Sequence, residues 1–213
     1  GDVEPAALAA GMYTLLVEGR YYTRGDANYA FRIGRSTVTE QELVYDVQTG
    51  GTLTEAGDRN VYTFTLGGAG QFLFDPRTNR SDLRWTLEGP TGTVVSARAF
   101  TASDSADFGA SPVLALAAGA YRLTIDASGD GVGDYAFALL DLSAATQIDL
   151  GEAVTGTLDP GSATQRYRFA ALARDRVAFD MQSESRNSAY WRLVNPFGGV
   201  VFATVAVRLV TVS

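Results

Sequence analysis

The chain has 213 residues, 46% of them hydrophobic, which is enough apolar material for one large domain or two ordinary ones and too much for a disordered segment. It contains neither cysteine nor histidine, which excludes a disulfide framework, thiolate chemistry and the usual general base, and all 17 basic residues are arginine. A net charge of −7 and a pI near 4.6 argue against nucleic acid or an anionic membrane surface as partner.

In chain order, the first element is LAAGMYTLLVEG at residues 8–19, followed by a turn-rich stretch and the aromatic run NYAF at 28–31. GTL at 51–53 precedes NVYTFTL at 60–66, in which Tyr62, Phe64 and Leu66 alternate with Val61, Thr63 and Thr65. That period of two is the mark of a strand with one buried face. GGAG at 67–70 leads into FLFD at 72–75, and LRWTLEG repeats the alternation with Leu83, Trp85 and Leu87. GAYRLTID presents Tyr121, Leu123 and Ile125 to one side and Arg122, Thr124 and Asp126 to the other, and DYAFALL adds Tyr135, Phe137 and Leu139. Clusters such as DPRTNRSD, EGPTG and ASGDGVGD separate these runs with turn residues. Many short strands without long helical periodicity predict an all-β chain built as β-sandwiches. No apolar run reaches the ~20 residues of a membrane-spanning helix. No signal peptide opens the chain, so a mature product or an excised fragment is expected.

The runs recur. GTL at 51–53 returns at 156–158, VYTF at 61–64 returns as RYRF at 166–169, and WTLEGPTGTVV at 85–95 returns as WRLVNPFGGVV at 191–201. LAAGMYTLLVEG at 8–19 matches LAAGAYRLTIDA at 116–127, and NYAF at 28–31 matches DYAF at 134–137. The period is about 105 residues, the size of a domain rather than of a solenoid repeat. The phase divides the chain into the C-terminal half of one repeat at 1–41, a complete repeat at 42–142, and the N-terminal half of a further repeat at 143–213. A chain cut in mid-repeat at both ends exposes inner faces and strand edges that invite pairing. The halves are then completed within one chain, between neighbouring copies, or by adjacent repeats of a longer parent.

The complete unit, reading GTL, VYTFTL, FLFD, LRWTLEGPTGTVV, LALAAGAYRLTID and GDYAFAL in turn, resembles the bacterial pre-peptidase C-terminal domain family. The shared pattern is a GTL opening, a Y-x-F strand, an L-x-L-x-x-P-x-G strand and turn, a G-x-Y-x-L strand and a closing Y-x-F strand. The resemblance implies a jelly-roll-like sandwich in secreted bacterial proteins, following a protease or recurring in tandem in surface proteins. Some relatives, such as the collagen-binding modules of clostridial collagenases, bind calcium and a fibrous substrate; no binding motif of theirs lines up with this chain.

Candidate sites are sparse. DASGDGVGD places Asp126, Asp130 and Asp134 four residues apart in a glycine-rich loop, a composition that suits calcium and equally suits an ordinary hairpin turn. The corresponding stretch of the first half-unit has Glu18, Asp26 and Asn28 without such a cluster. Asp75 and Asp82 are a candidate carboxylate pair, but the next unit has Asp180 and Ser188, so a required catalytic pair is not kept. Arg24, Gly25 and Asp26 form an RGD tripeptide that reads as a turn. Tyr62, Phe64 and Trp85, with Tyr167, Phe169 and Trp191, are expected in sandwich cores rather than on a sugar-stacking platform. GGAG lies between strands and precedes no helix, so it is no phosphate loop. The expected role is therefore non-catalytic: a structural or adhesive repeat segment of a large exported protein, extracellular or at the cell surface, assembling through neighbouring copies or adjacent repeats. The alternative is a substrate-targeting accessory module of a secreted peptidase.

Overall fold

Each alternating run becomes a strand because it lends one apolar row to a shared interior. The computed structural model describes residues 6–104, 108–183, 185 and 189–205. The strands between residues 38 and 141 are β1 (Val38–Glu42), β2 (Thr49–Leu53), β3 (Arg59–Leu66), β4 (Gly70–Pro76), β5 (Leu83–Gly89), β6 (Gly92–Ala99), β7 (Val113–Leu116), β8 (Gly119–Ala127) and β9 (Gly133–Asp141). They form two sheets, ordered β1-β3-β8-β5-β6 and β2-β9-β4-β7. All the pairings are antiparallel except β1 with β3, which run parallel. β8 is thus the centre of one sheet, joining β3 to β5, and β9 joins β2 to β4 in the other.

The inner faces of the two sheets meet in one core, which makes this region an all-β sandwich. Phe74 of β4 stacks on Trp85 of β5 at 4.1 Å between centroids and on Phe137 of β9 at 5.2 Å. Tyr62 of β3 meets Phe137 edge-on at 5.1 Å. The buried polar tips are satisfied: Trp85 Nε1 donates to Ser103 Oγ at 2.8 Å, the Tyr62 and Tyr135 hydroxyls lie 2.7 Å apart, and Asn60 Nδ2 donates to the Tyr135 hydroxyl at 2.8 Å. Gly51 is required here, since a Cβ on it would sit 2.4 Å from the Tyr135 hydroxyl. Val61, on the side of β3 opposite Tyr62, is buried as well, a departure from simple alternation.

The remaining strands are β10 (Thr146–Gln147), β11 (Tyr167–Arg168), β12 (Tyr190–Val194) and β13 (Val200–Val205). β10 pairs parallel with β11, and β12 pairs antiparallel with β13. Residues 6–37 carry no strand, although LAAGMYTLLVEG and NYAF match β8 and β9 in sequence. Strands of that kind are central ones, and they have no neighbours to pair with here.

Candidate functional site

β1 reads VTEQE and is wholly exposed, so its strand form comes from backbone pairing with β3 rather than from burial. Asp58, in the turn between β2 and β3, anchors its start. The carboxylate accepts from the Thr37 N–H and hydroxyl at 2.7 and 2.9 Å, from the Thr54 N–H and hydroxyl at 3.0 and 2.7 Å, and from the Glu55 N–H at 2.8 Å. Burial pushes Asp58 up, but these hydrogen bonds outweigh it and hold the carboxyl far below the usual range. β1 spans the expected 41/42 boundary and pairs with β3 of the sandwich.

A second junction joins the sandwich to residues 143–205. Asp75, at the end of β4, forms a buried ion pair with Arg77 at 2.7 Å and accepts from the Thr164 N–H and hydroxyl at 3.1 and 2.9 Å. Burial pushes the Asp75 carboxyl up, opposed by Arg77 and Thr164. Ser162 Oγ donates to the Arg77 carbonyl at 3.3 Å, and Arg166 binds both the Asp46 carboxylate and the Asp141 carbonyl. The β12–β13 turn rests on the edge of β4 and β7: Gln71 Nε2 donates to the Pro196 carbonyl at 3.1 Å and Ser111 Oγ to the Gly198 carbonyl at 2.7 Å.

Beyond that junction, the pairings among the described residues of 143–205 reproduce some of the sandwich's. Thr146 opposite Tyr167 and Gln147 opposite Arg168 stand 105 residues after Gln41 opposite Tyr62 and Glu42 opposite Thr63. Tyr190 opposite Val205 and Trp191 opposite Thr204 stand 106 residues after Arg84 opposite Ala99 and Trp85 opposite Arg98. These two pairs need neither β8 nor β9. The counterparts of β2 and β4, around residues 154–158 and 175–181, carry no strand, and in the sandwich both depend on β9. Their aromatic counterparts are present but loosely met: Phe179 lies edge-on to Trp191 at 6.0 Å, where Phe74 stacks flat on Trp85. Six side chains at the N-terminal end, Tyr13, Leu15, Val17, Tyr29, Phe31 and Ile33, are 50–77% exposed. Their sequence counterparts Tyr121, Leu123, Ile125, Tyr135, Phe137 and Leu139 are at most 4% exposed. Residues 8–33 thus present an exposed apolar row whose sequence counterparts are buried.

The residues singled out from sequence fall as follows. Asp126 faces Arg59 at 3.8 Å, Asp134 accepts from the Thr52 hydroxyl at 2.6 Å, and Asp130 is exposed in the loop between them. Among the described residues, no three carboxylates are grouped to hold a metal ion. Asp75 and Asp82 are each given their own arginine, Asp75 with Arg77 and Asp82 with Arg80. The Arg80 hydrogen bond holds the Asp82 carboxyl low, and Asp82 packs so close to Gly131 that a Cβ there would sit 2.4 Å from its carboxylate. Ser188 lies outside the described residues. Arg24, Gly25 and Asp26 are exposed, with Gly25 at φ +79°. Sequence reasoning missed the Asp58 anchor, signalled by a TEAGD turn, and the contact of Thr164 with Asp75, which nothing local in the sequence announces. No helix among the described residues is long and apolar enough to cross a membrane.

No protein-family model matches the chain, and no curated protein matches it. Among solved structures, it is similar to the pre-peptidase C-terminal domain of a Bacillus anthracis collagenase, at 15% identity and a TM-score of 0.34 over 48% of this chain and 93% of that one. It is also similar to PliG, a periplasmic inhibitor of g-type lysozyme, from Salmonella Typhimurium at 16% identity and a TM-score of 0.37, over 48% of this chain and 98% of that one. The PliG of Aeromonas hydrophila aligns at 13% identity and a TM-score of 0.32, over 49% of this chain and 99% of that one.

Proposed function

We propose that the chain is a non-catalytic structural segment of a large exported bacterial surface protein, in which half-repeats complete one another and link sandwiches into a filament. One observation carries this reading: among the described residues of 143–205 the strand pairs are those that do not require β8 or β9, and the segment at 8–33 resembles β8 and β9 in sequence. A sheet that lacks its central strand offers two rows of unpaired backbone groups, and filling that gap satisfies both rows at once. A non-catalytic role suits the composition. With no histidine, lysine or cysteine the chain holds few groups able to activate a nucleophile.

The test is molar mass by light scattering across a concentration series, with electron microscopy of the same samples. Mass growing with concentration and fibrous particles support assembly. A monomer of 22.6 kDa at every concentration removes the filament and leaves a spacer, or an accessory module directing a secreted peptidase to its substrate.

A further inference from the structure

We propose that the outer face of the β2-β9-β4-β7 sheet is a built seat for the unit that follows it in the chain. The seat locks the sandwich and residues 143–205 in one mutual orientation, so that the two move as a single stiff body. This goes beyond the reading above and does not depend on half-repeats completing one another. A sheet with one face in a core and the other in water alternates buried with exposed residues. β9 breaks that rule. Tyr135, Phe137 and Leu139 belong to the core, yet Ala138 and Leu140, on the opposite face, are only 1% and 3% exposed and stand outside the core cluster. Ala138 lies opposite Asp75 of β4, and Leu140 opposite Leu73. Asp75 faces outward too, since its neighbours Phe72 and Phe74 fill the core, and it is buried as well. Residues 160–166 bond across this outer face, and Ala163 among them is the only buried hydrophobic side chain among the described residues of 143–205.

The attachment has three separated points. At the end of β4, Thr164 and Ser162 bind Asp75 and the Arg77 carbonyl. At the corner where β9 ends, Arg166 binds the Asp46 carboxylate and, at 2.6 Å, the Asp141 carbonyl. At the β7 side, the β12–β13 turn takes hydrogen bonds from Gln71 and Ser111, and Arg192 Nη2 donates to the Phe108 carbonyl at 2.9 Å. That turn sits close: a Cβ on Gly198 would lie 3.3 Å from Val113 Cγ1. Gln71 and Asp75 are about 13 Å apart along β4. A short connection at 142–145 by itself leaves rotation free, and three anchors that do not share a line remove it.

The anchoring side chains serve the junction rather than the fold. Where residues 143–205 have Thr164, Arg166 and Arg192, the sandwich has Arg59, Val61 and Thr86 at the matching positions. Arg59 faces Asp126 instead, and Val61 is buried within its own unit. Asp46 shows the same preference from the other side. Its φ is +64°, in the left-handed region that favours glycine, and the matching residue is Gly151 at φ +90°. An aspartate there accepts a less favourable backbone and gains a carboxylate that takes both the Asp141 N–H, at 2.8 Å, and Arg166.

The test uses the full chain, which has no native cysteine. Ser96→Cys on β6 and Ala173→Cys beyond the junction are both at exposed positions and carry nitroxide spin labels. Their separation is read by pulsed electron resonance in a dilute sample mixed with excess unlabelled chain, so that only distances within one molecule are counted. The expected result is one narrow distance distribution, several-fold wider in Thr164→Val/Arg166→Met, which alters no residue of the sandwich. Far-UV circular dichroism checks that the variant folds, and Arg166→Met alone carries the same comparison if the double variant does not. A broad distribution in the labelled parent overturns the lock. A narrow one that survives the substitutions also overturns it, since the orientation then comes from the connection at 142–145 alone. Light scattering reads a separate property: a narrow distribution in a chain that stays monomeric keeps the lock and removes the filament.

Discussion

The sandwich at 38–141 and the described residues of 143–205 share a sequence pattern but not a core. Trp85 is fully buried and lies flat on Phe74, whereas Trp191 is half-buried and met only edge-on by Phe179. Among the described residues, only the sandwich at 38–141 holds strands of the β8 and β9 kind. In 143–205 the described pairs are a parallel one like β1–β3 and a hairpin like β5–β6, and the counterpart of β2 carries no strand. In the sandwich, β8 and β9 tie the sheets together, because each supplies hydrogen bonds on both sides and an inward apolar row.

The largest expected effect breaks this comparison most directly. Trp85→Ala opens a cavity in the closed core and is expected to cost about 3–5 kcal/mol in urea unfolding. Trp191→Ala in a dilute, monomeric sample is expected to cost about 1 kcal/mol or less, since its side chain is only partly removed from water. The chain has two tryptophans, one in each region, so unfolding is followed by far-UV circular dichroism, which does not depend on the residue removed. If Trp191→Ala proves as costly as Trp85→Ala, the half-sandwich has a closed core in solution and the contrast fails. Dependence of the Trp191 cost on protein concentration would instead sharpen it, since completion by a second copy predicts that coupling.

Much of the sandwich is legible in sequence, for a physical reason. Tyr62, Phe64, Leu66, Leu83, Trp85, Leu87, Tyr121, Leu123 and Ile125 alternate because one face of each strand is buried, and burial is what periodicity reports. β1 escapes that reading since VTEQE buries nothing; its form is dictated by the backbone of β3. The stretch at 8–33 shows the opposite mismatch. Its alternation is that of a buried central strand, yet the structure leaves it without strand, because alternation records the partner a segment suits and not whether the partner is there. The functional residues Asp58 and Asp75 act through contacts 21 and 89 residues away in sequence, to Thr37 and Thr164, and only the fold brings these together.

Asp58 supplies the next test, as its counterpart in the half-sandwich is Ala163. Asp58→Asn keeps the size of the side chain but loses the charge and most of the acceptor capacity for its five donors, with an expected cost of about 2–3 kcal/mol at neutral pH. Because the folded-state pKa lies below the ordinary carboxylate value, the stabilisation is fully present above about pH 5 and is lost as pH falls through 4 toward the folded value. Asp75 is pushed the other way, so the quantity to follow is the stability difference between wild type and Asp58→Asn across pH. That difference should shrink steadily on acidification. A difference independent of pH would mean that the carboxylate charge contributes nothing and that the anchor of β1 is steric.

The smallest expected effect concerns the loop after β8, where the complete sandwich carries Asp126, Asp130 and Asp134 and the N-terminal segment has no such cluster. Calcium at this loop is a proposal drawn from its composition, and the geometry states what binding would require. The ion would have to compete with Arg59 for Asp126 and with the Thr52 hydroxyl for Asp134, leaving Asp130 as the carboxylate that needs no release. Such competition weakens binding, and calcium at ten times its Kd adds only about 1.4 kcal/mol to stability. The calcium proposal therefore predicts a rise in melting temperature of several degrees, reversed by chelator and absent from Asp130→Ala/Asp134→Ala. Melting that is indifferent to both calcium and chelator would assign the loop to turn formation alone. The contrast between the two regions would then rest wholly on strand pairing, with no contribution from a metal ion.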